Sequence, residues 1–180
     1  MPTADSRRMR RVAVGVAVVA VLAPSAPVAA ARSAVKLDGL STALLASVNQ
    51  VRRAHGLRAL RPSARLTAAA AQHSREMAAR GYFQHASFDG TAFWQRIQRF
   101  YGRGGYRTWS VGENLLWSSP DVDAARAVQM WMNSPEHRAN LLSRSWRDIG
   151  LSAVHVAPAP GVYHGDPVTV VTADFGVRRS

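Results

Sequence analysis
Apolar positions in this chain change period part-way along, from helical spacing to the alternation and β-branched runs of strands. Leu40, Leu44, Val48, Val51 and His55 recur three or four residues apart. They predict a helix over 38–55 with one buried stripe, closed by Gly56 as a left-handed cap. A second helix is predicted from just after Pro62 to Arg80, with Leu66, Ala70, His73 and Met77 on one face and Gly81 as its stop. The pattern then loosens into a loop over 82–90 and tightens into a short helix over 91–100. Phe93, Ile97 and Phe100, or Trp94 and Tyr101, are the apolar positions of that helix. The glycine-rich stretch 101–109 lacks the strand-before, helix-after setting of a phosphate cradle and reads as a loop. Val111, Leu115 and Trp117 predict a strand over 110–117. Ser118-Ser119-Pro120-Asp121 then caps a helix over 121–133 that turns Val122, Ala125, Val128 and Met132 to the core. Strands are predicted over 147–154 and 168–175, joined by a proline- and glycine-bearing connection over 156–166. Helices first and a small antiparallel sheet later predict an α+β layered domain.

Three polar positions stand out against this pattern. Trp131–Leu142 reads as one helix end, a break and a new helix start. Ser134 suits the N-cap, Pro135 the first helical position, and Glu136 the positive end of the helix dipole. His137 falls in the first turn, where the dipole disfavours imidazolium, so a neutral ring suited to a metal or a proton is expected. His85 sits between aromatic residues in a loop, where function concentrates. Glu113 places a carboxylate in an otherwise apolar strand, where it needs a partner or a route to water. By contrast, His73 reads as a satisfied core histidine and His55 as a helix-end residue near the carbonyl pole.

Composition adds compartment and excludes several chemistries. Arg7, Arg8, Arg10 and Arg11 precede an apolar run over 12–22 and a small-residue cleavage site near Ala30-Ala31, the pattern of a signal peptide over 1–31. The run is short for a membrane span, and no other segment is long and apolar enough to cross a bilayer. The expected organisation is a leader over 1–31, a linker over 32–36, one domain over 37–176 and a tail over 177–180. The chain has no cysteine, which rules out disulfides, thiol catalysis and thiolate zinc sites. Removing the leader's four arginines and one aspartate from 23 basic and 11 acidic residues leaves a net charge of +9. Anionic envelope polymers or lipid headgroups are therefore candidate partners. The arginines are scattered and no nucleic-acid motif is present, so no nucleic-acid partner is expected.

The ordered set of motifs resembles the CAP superfamily, the group of cysteine-rich secretory proteins, venom antigens and pathogenesis-related proteins, in its bacterial extracellular (SCP-like) form. Asn49-Gln50-Val51-Arg52 with His55-Gly56-Leu57 and Leu60 resembles the family's first-helix signature. Leu66, Ala70, Ser74 and Met77 followed by Tyr82-Phe83-Gln84-His85 resembles its second helix and histidine loop. Gly112-Glu113-Asn114, Trp131 to Arg138, Ile149-Gly150 and Thr172 to Gly176 resemble the glutamate strand, the tryptophan-to-histidine segment and the closing strands. The resemblance implies an α-β-α sandwich with a small central antiparallel sheet, and a cleft of two histidines and two acids. His85, Glu113 and His137 match. The position where many eukaryotic members carry the second acid is Ser134, and Glu136, two residues along the helix, points elsewhere.

Two imidazoles and a carboxylate could hold a divalent metal, zinc above all, with His85 and His137 as its ligands, though no cofactor is required. No His-Glu-x-x-His and no nucleophile elbow is present, so no catalytic residue is assigned. The expected function is an exported, monomeric CAP-domain protein, secreted or envelope-associated, whose cleft binds a ligand or metal without a settled reaction. The alternatives are a metal-dependent hydrolase of envelope peptide or peptidoglycan, and an envelope-polymer binder using its basic surface.

Overall fold
The computed structural model describes residues 35–36 and 38–180, and the leader assigned to 1–31 lies outside them. Chain order is β1 (Val35–Lys36), α1 (Asp38–Ala54), β2 (Arg61–Pro62), α2 (Ala64–Arg80), α3 (Phe93–Phe100), β3 (Thr108–Ser118), α4 (Ala124–Asn133), α5 (Pro135–Leu141), β4 (Asp148–Val156) and β5 (Val168–Arg179). The sheet runs β1-β4-β5-β3, antiparallel throughout, with β2 adding a short parallel pairing to β4.

Alternation along the two long inner strands sorts the layers. Ile149, Leu151 and Ala153 of β4, with Val171, Ala173, Phe175 and Val177 of β5, enter one core with Leu44, Val48, Val128, Trp131 and Leu141. That core joins the sheet to α1, α4 and α5. Val154, Val168 and Val170 face the other way, onto Met77, Ala78 and Tyr82. Leu66 and Ala69 of α2 meet Ile97 and Tyr101 around α3. The α-β-α sandwich is therefore as expected.

Both ends of α2 have a local cause. Ser63 caps α2 by accepting from Leu66 N, and Gly81, in the left-handed region at φ 68°, ends it. Along α2, Gly150 of β4 lets the helix lie directly on the sheet, since a Cβ there would run into the backbone of Leu66 and Thr67.

The structure also corrects several expectations. Helix α4 starts at Ala124 rather than Asp121, because Asp123 accepts from Arg126 N and fixes the N-terminus. Its buried face is accordingly Ala124, Ala127, Val128 and Trp131, leaving Ala125 exposed. Ser134 occupies the N-cap of α5 but makes no side-chain cap; its hydroxyl donates to Glu136 Oε2 at 3.3 Å instead. His55 is exposed rather than part of the α1 stripe, with its ring Nδ1 2.9 Å from Val51 O. On α3 the buried residues are Arg96 and Ile97, while Trp94 is exposed. The last strand continues past Phe175 to Arg179 with Val177 buried, because β3 pairs with it along its full length.

Candidate functional site
The Gly112-Glu113-Asn114 segment of edge strand β3 shows what each residue type is for. Successive strand residues point to opposite faces. Gly112 faces α5, and a Cβ there would sit 2.7 Å from Asn140 Oδ1 and 2.8 Å from Trp146, so its bareness admits that helix. Asn114 faces the same way and donates to His137 O at 3.0 Å. Asn140 returns the contact, donating to Glu113 O at 3.1 Å and Asn114 Oδ1 at 2.9 Å. Trp146 Nε1 donates to Asn140 O at 3.0 Å and closes the set. Thus α5, and with it His137, is fastened to the strand that carries Glu113.

Glu113 itself points to the α2–α3 face, where its side chain is fully buried. Arg96 of α3, 0% exposed, pairs its Nη2 with Glu113 Oε2. The same guanidinium donates from Nη1 to His85 O at 3.0 Å and Ser87 Oγ at 3.3 Å, fixing the histidine loop. The other carboxylate oxygen, Oε1, lies 2.8 Å from His85 Nδ1. A ring whose Nδ1–H donates to a carboxylate presents Nε2 outward. The His85 side chain is just over half exposed, so the ring reaches solvent.

His137 approaches from the other layer and is half-buried. Burial lowers its pKa first, the nearby His85 lowers it further, and Glu136 opposes both. The ring is therefore held neutral at pH 7. The His85 charge thus reaches His137; His85 and Glu113 are in hydrogen-bond contact, and His137 is tied to the same strand through Asn114. Ser134 and Glu136 are not part of the buried network: Glu136 is exposed and acts on His137 only through its charge.

Two members of the network do not stand out in the sequence. Asp174 is the register partner of Glu113 on β5 and is completely buried. Its carboxyl is pushed well above the usual carboxylate value of 3.8, first by burial and then by the Glu113 charge. Arg96 is the other. Glu113 attracts notice as a carboxylate in an apolar strand needing a partner; Asp174, between Ala173 and Phe175, carries the identical signal. His73 lies behind this group, its Nε2 3.0 Å from Gln84 O and its pKa lowered to about 4, chiefly by burial. Its Nδ1 has no hydrogen-bond partner, so His73 is a core histidine satisfied on one side only.

As a metal site the donor set is sparse. Among the described residues no three His, Cys, Asp or Glu side chains converge to hold an ion. Glu113 is committed to Arg96 and His85, which suits it to orienting an imidazole rather than ligating. A closed structural zinc site, which takes four protein ligands, is therefore absent among the described residues.

Comparison with known proteins agrees with this fold. The profile of CAP, the cysteine-rich secretory protein family, matches residues 45–172. An uncharacterized membrane protein of Bacillus subtilis, YlbC, is 30% identical over 108 residues, covering 60% of this chain and 30% of the relative. The chain therefore spans under a third of that relative's length. An extracellular SCP-domain protein from Bacillus anthracis superposes with TM-score 0.59 at 28% identity, covering 79% of this chain and 41% of the other. An outer surface protein of Borrelia burgdorferi shares the fold at TM-score 0.62 and 21% identity, over 79% of this chain and 95% of its own. Among the described residues no helix is long and apolar enough to cross a membrane. With the layered fold in place and the family profile covering 45–172, the chain belongs to the CAP (cysteine-rich secretory protein) family.

Proposed function
We propose that this is an exported CAP-domain binding protein whose cleft at edge strand β3 takes a divalent cation on the imidazoles of His85 and His137. One observation carries the reading: Glu113 spends one oxygen on Arg96 and the other on His85 Nδ1, leaving His85 Nε2 unspent within electrostatic range of the neutral His137 ring. That is the arrangement of a ligating histidine with its orienting carboxylate. A bound zinc would supply Lewis acidity and an ionisable water. The chain's own residues hold and aim: Arg96 neutralises Glu113, Glu113 fixes the tautomer and direction of His85, and Asn114 with Asn140 hold the backbone of His137. No serine hydroxyl is hydrogen-bonded to either histidine among the described residues, so the cleft has no activated nucleophile of its own.

Zinc titration by calorimetry on the full chain tests the proposal. Saturable uptake is expected, lost in His85→Ala and in His137→Ala, and weakened about tenfold or more in Glu113→Gln, the usual cost of losing an orienting partner. Zinc uptake that is absent, or that survives both histidine changes, overturns it. The His85–Glu113 pair is also the geometry of a base with its orienter, which favours a metal-dependent hydrolase as the second reading. Its signature is cleavage of peptidoglycan peptide abolished by chelation and by either alanine change; binding without turnover returns the assignment to the first.

A further inference from the structure
In the layer of α1 and α5, where α1 meets the α5–β4 connection, a cavity of about 310 Å³ is lined by Arg52, Gly56, Leu57, Arg58, Arg144 and Arg147. Four of these six residues are arginines and none is acidic. Arg52, 1% exposed, spends only part of its guanidinium on the protein. Nε donates to Arg58 O at 3.0 Å, and Nη1 donates to Leu141 O at 2.6 Å and Ser143 O at 3.0 Å. All three acceptors are neutral carbonyls. Nη2 makes no hydrogen bond among the described residues and is not one of the sealed polar atoms. Arg147 is built the same way: Nη1 is tied to the carbonyls of Arg144 at 2.8 Å and Trp146 at 2.9 Å. Arg58 and Arg144 are exposed and close the rim.

A buried cation without a counter-charge is costly. Here the cost is compounded, since the Arg147 charge presses on Arg52. The acid next in sequence, Asp148, is engaged by Arg61 at 2.9 Å and by the Tyr101 hydroxyl at 2.7 Å. Two guanidinia are thus fixed by one edge with the remaining N–H groups unspent, and two more can fold over from the rim. Planar forks of this kind match the oxygens of a phosphate in pairs. The volume sits at the small end of ligand pockets, roughly 300–1,000 Å³.

We propose that this arginine pocket is a phosphate-binding site, filled by a phosphodiester of an anionic envelope polymer or by the free ion, and independent of the histidine cleft. Calorimetry on the full chain with inorganic phosphate, and separately with poly(glycerol phosphate), tests it. Saturable binding is expected, weakened about tenfold or more in the Arg58→Gln/Arg144→Gln double variant, as for loss of charged hydrogen bonds. Both side chains are exposed, so the fold is kept. Arg75→Gln/Arg99→Gln removes the same charge from exposed positions on α2 and α3 and should leave affinity within about twofold. Polymer displaced by inorganic phosphate assigns the site to the phosphate itself. Pocket-dependent polymer binding that phosphate does not displace assigns it to the extended chain. Failure of both probes to bind, or equal weakening in both double variants, overturns the proposal.

Discussion
At the scale of the residue, the centre of the molecule is an imbalance of charge. Glu113 and Asp174 face one another across β3 and β5, and the one guanidinium paired with them is that of Arg96. One buried cation can compensate one buried carboxylate; a second ionised carboxyl would be an unpaired charge. Asp174 is therefore the member kept neutral, its pKa raised by burial and by Glu113. A folded-state value above the unfolded one stabilises fully below about pH 3.8, and that contribution is lost as pH rises toward the folded value. His73 has the opposite sign: lowered to about 4, it favours the folded state most above 6.5 and loses that as pH falls. The two slopes oppose each other in the native chain, and one substitution separates them. Asp174→Asn keeps the shape and removes the ionisation. Its melting temperature relative to the native chain should be lowest near pH 4 and climb steadily toward pH 7, by about 2–4 °C for each kcal/mol relieved. A variant-minus-native difference that stays flat or falls with rising pH would show that Asp174 is ionised in the fold.

At the scale of the element, the decisive contacts are those where backbone meets backbone. Helix α2 rests on β4 at Gly150, and an alanine there must either push the helix away or bend the strand. Overpacking a well-filled core costs about 1–3 kcal/mol, and a main-chain collision belongs at the upper end. Gly150→Ala should lower the urea midpoint by the equivalent of about 3 kcal/mol with an unchanged slope; a loss under about 1 kcal/mol would mean that α2 is not so closely seated. This contact also marks where the sequence stops being informative. The period of Leu66, Ala70 and Met77 discloses α2, and the β-branched run discloses β5, because periodicity records which face is buried. The start of α4 is misplaced from sequence because Ser118, Ser119 and Asp121 are as good N-caps by type as Asp123, and only geometry chooses. His85, Glu113 and His137 are legible as polar residues in the wrong surroundings. Arg96 is not, since a charged residue on a short helix reads as a solvated face until a buried carboxylate is found opposite it. Asn114 and Asn140 escape for a related reason: their work is to bond backbone groups, and side-chain type alone does not announce that.

At the scale of the whole molecule, charge and packing pull against each other. The sequence carries 23 basic against 11 acidic residues and no cysteine, so no covalent staple resists the repulsion of its arginines. Two of the acidic residues, Glu113 and Asp174, are buried, which removes them from the balance at the surface. The ion pairs of the described residues that involve an arginine join Arg61 to Asp148 and Arg96 to Glu113. Among the described residues most arginines are exposed and face water, where like charges repel over about 10 Å at 0.1 M salt. Compaction brings these charges together and unfolding relieves them, so self-repulsion destabilises the native state. Screening should reverse part of that. Between about 0.02 M and 0.2 M sodium chloride the Debye length falls severalfold, and the melting temperature should rise by a few degrees. Arg58→Gln/Arg144→Gln, which thins a cluster of four arginines, should raise the low-salt melting temperature and flatten its salt dependence more than Arg75→Gln/Arg99→Gln, whose Arg99 is attracted by Asp89. Stability that falls with added salt would mean that attractive pairs outweigh repulsion, and would shift the account of this fold from packing to its few salt bridges.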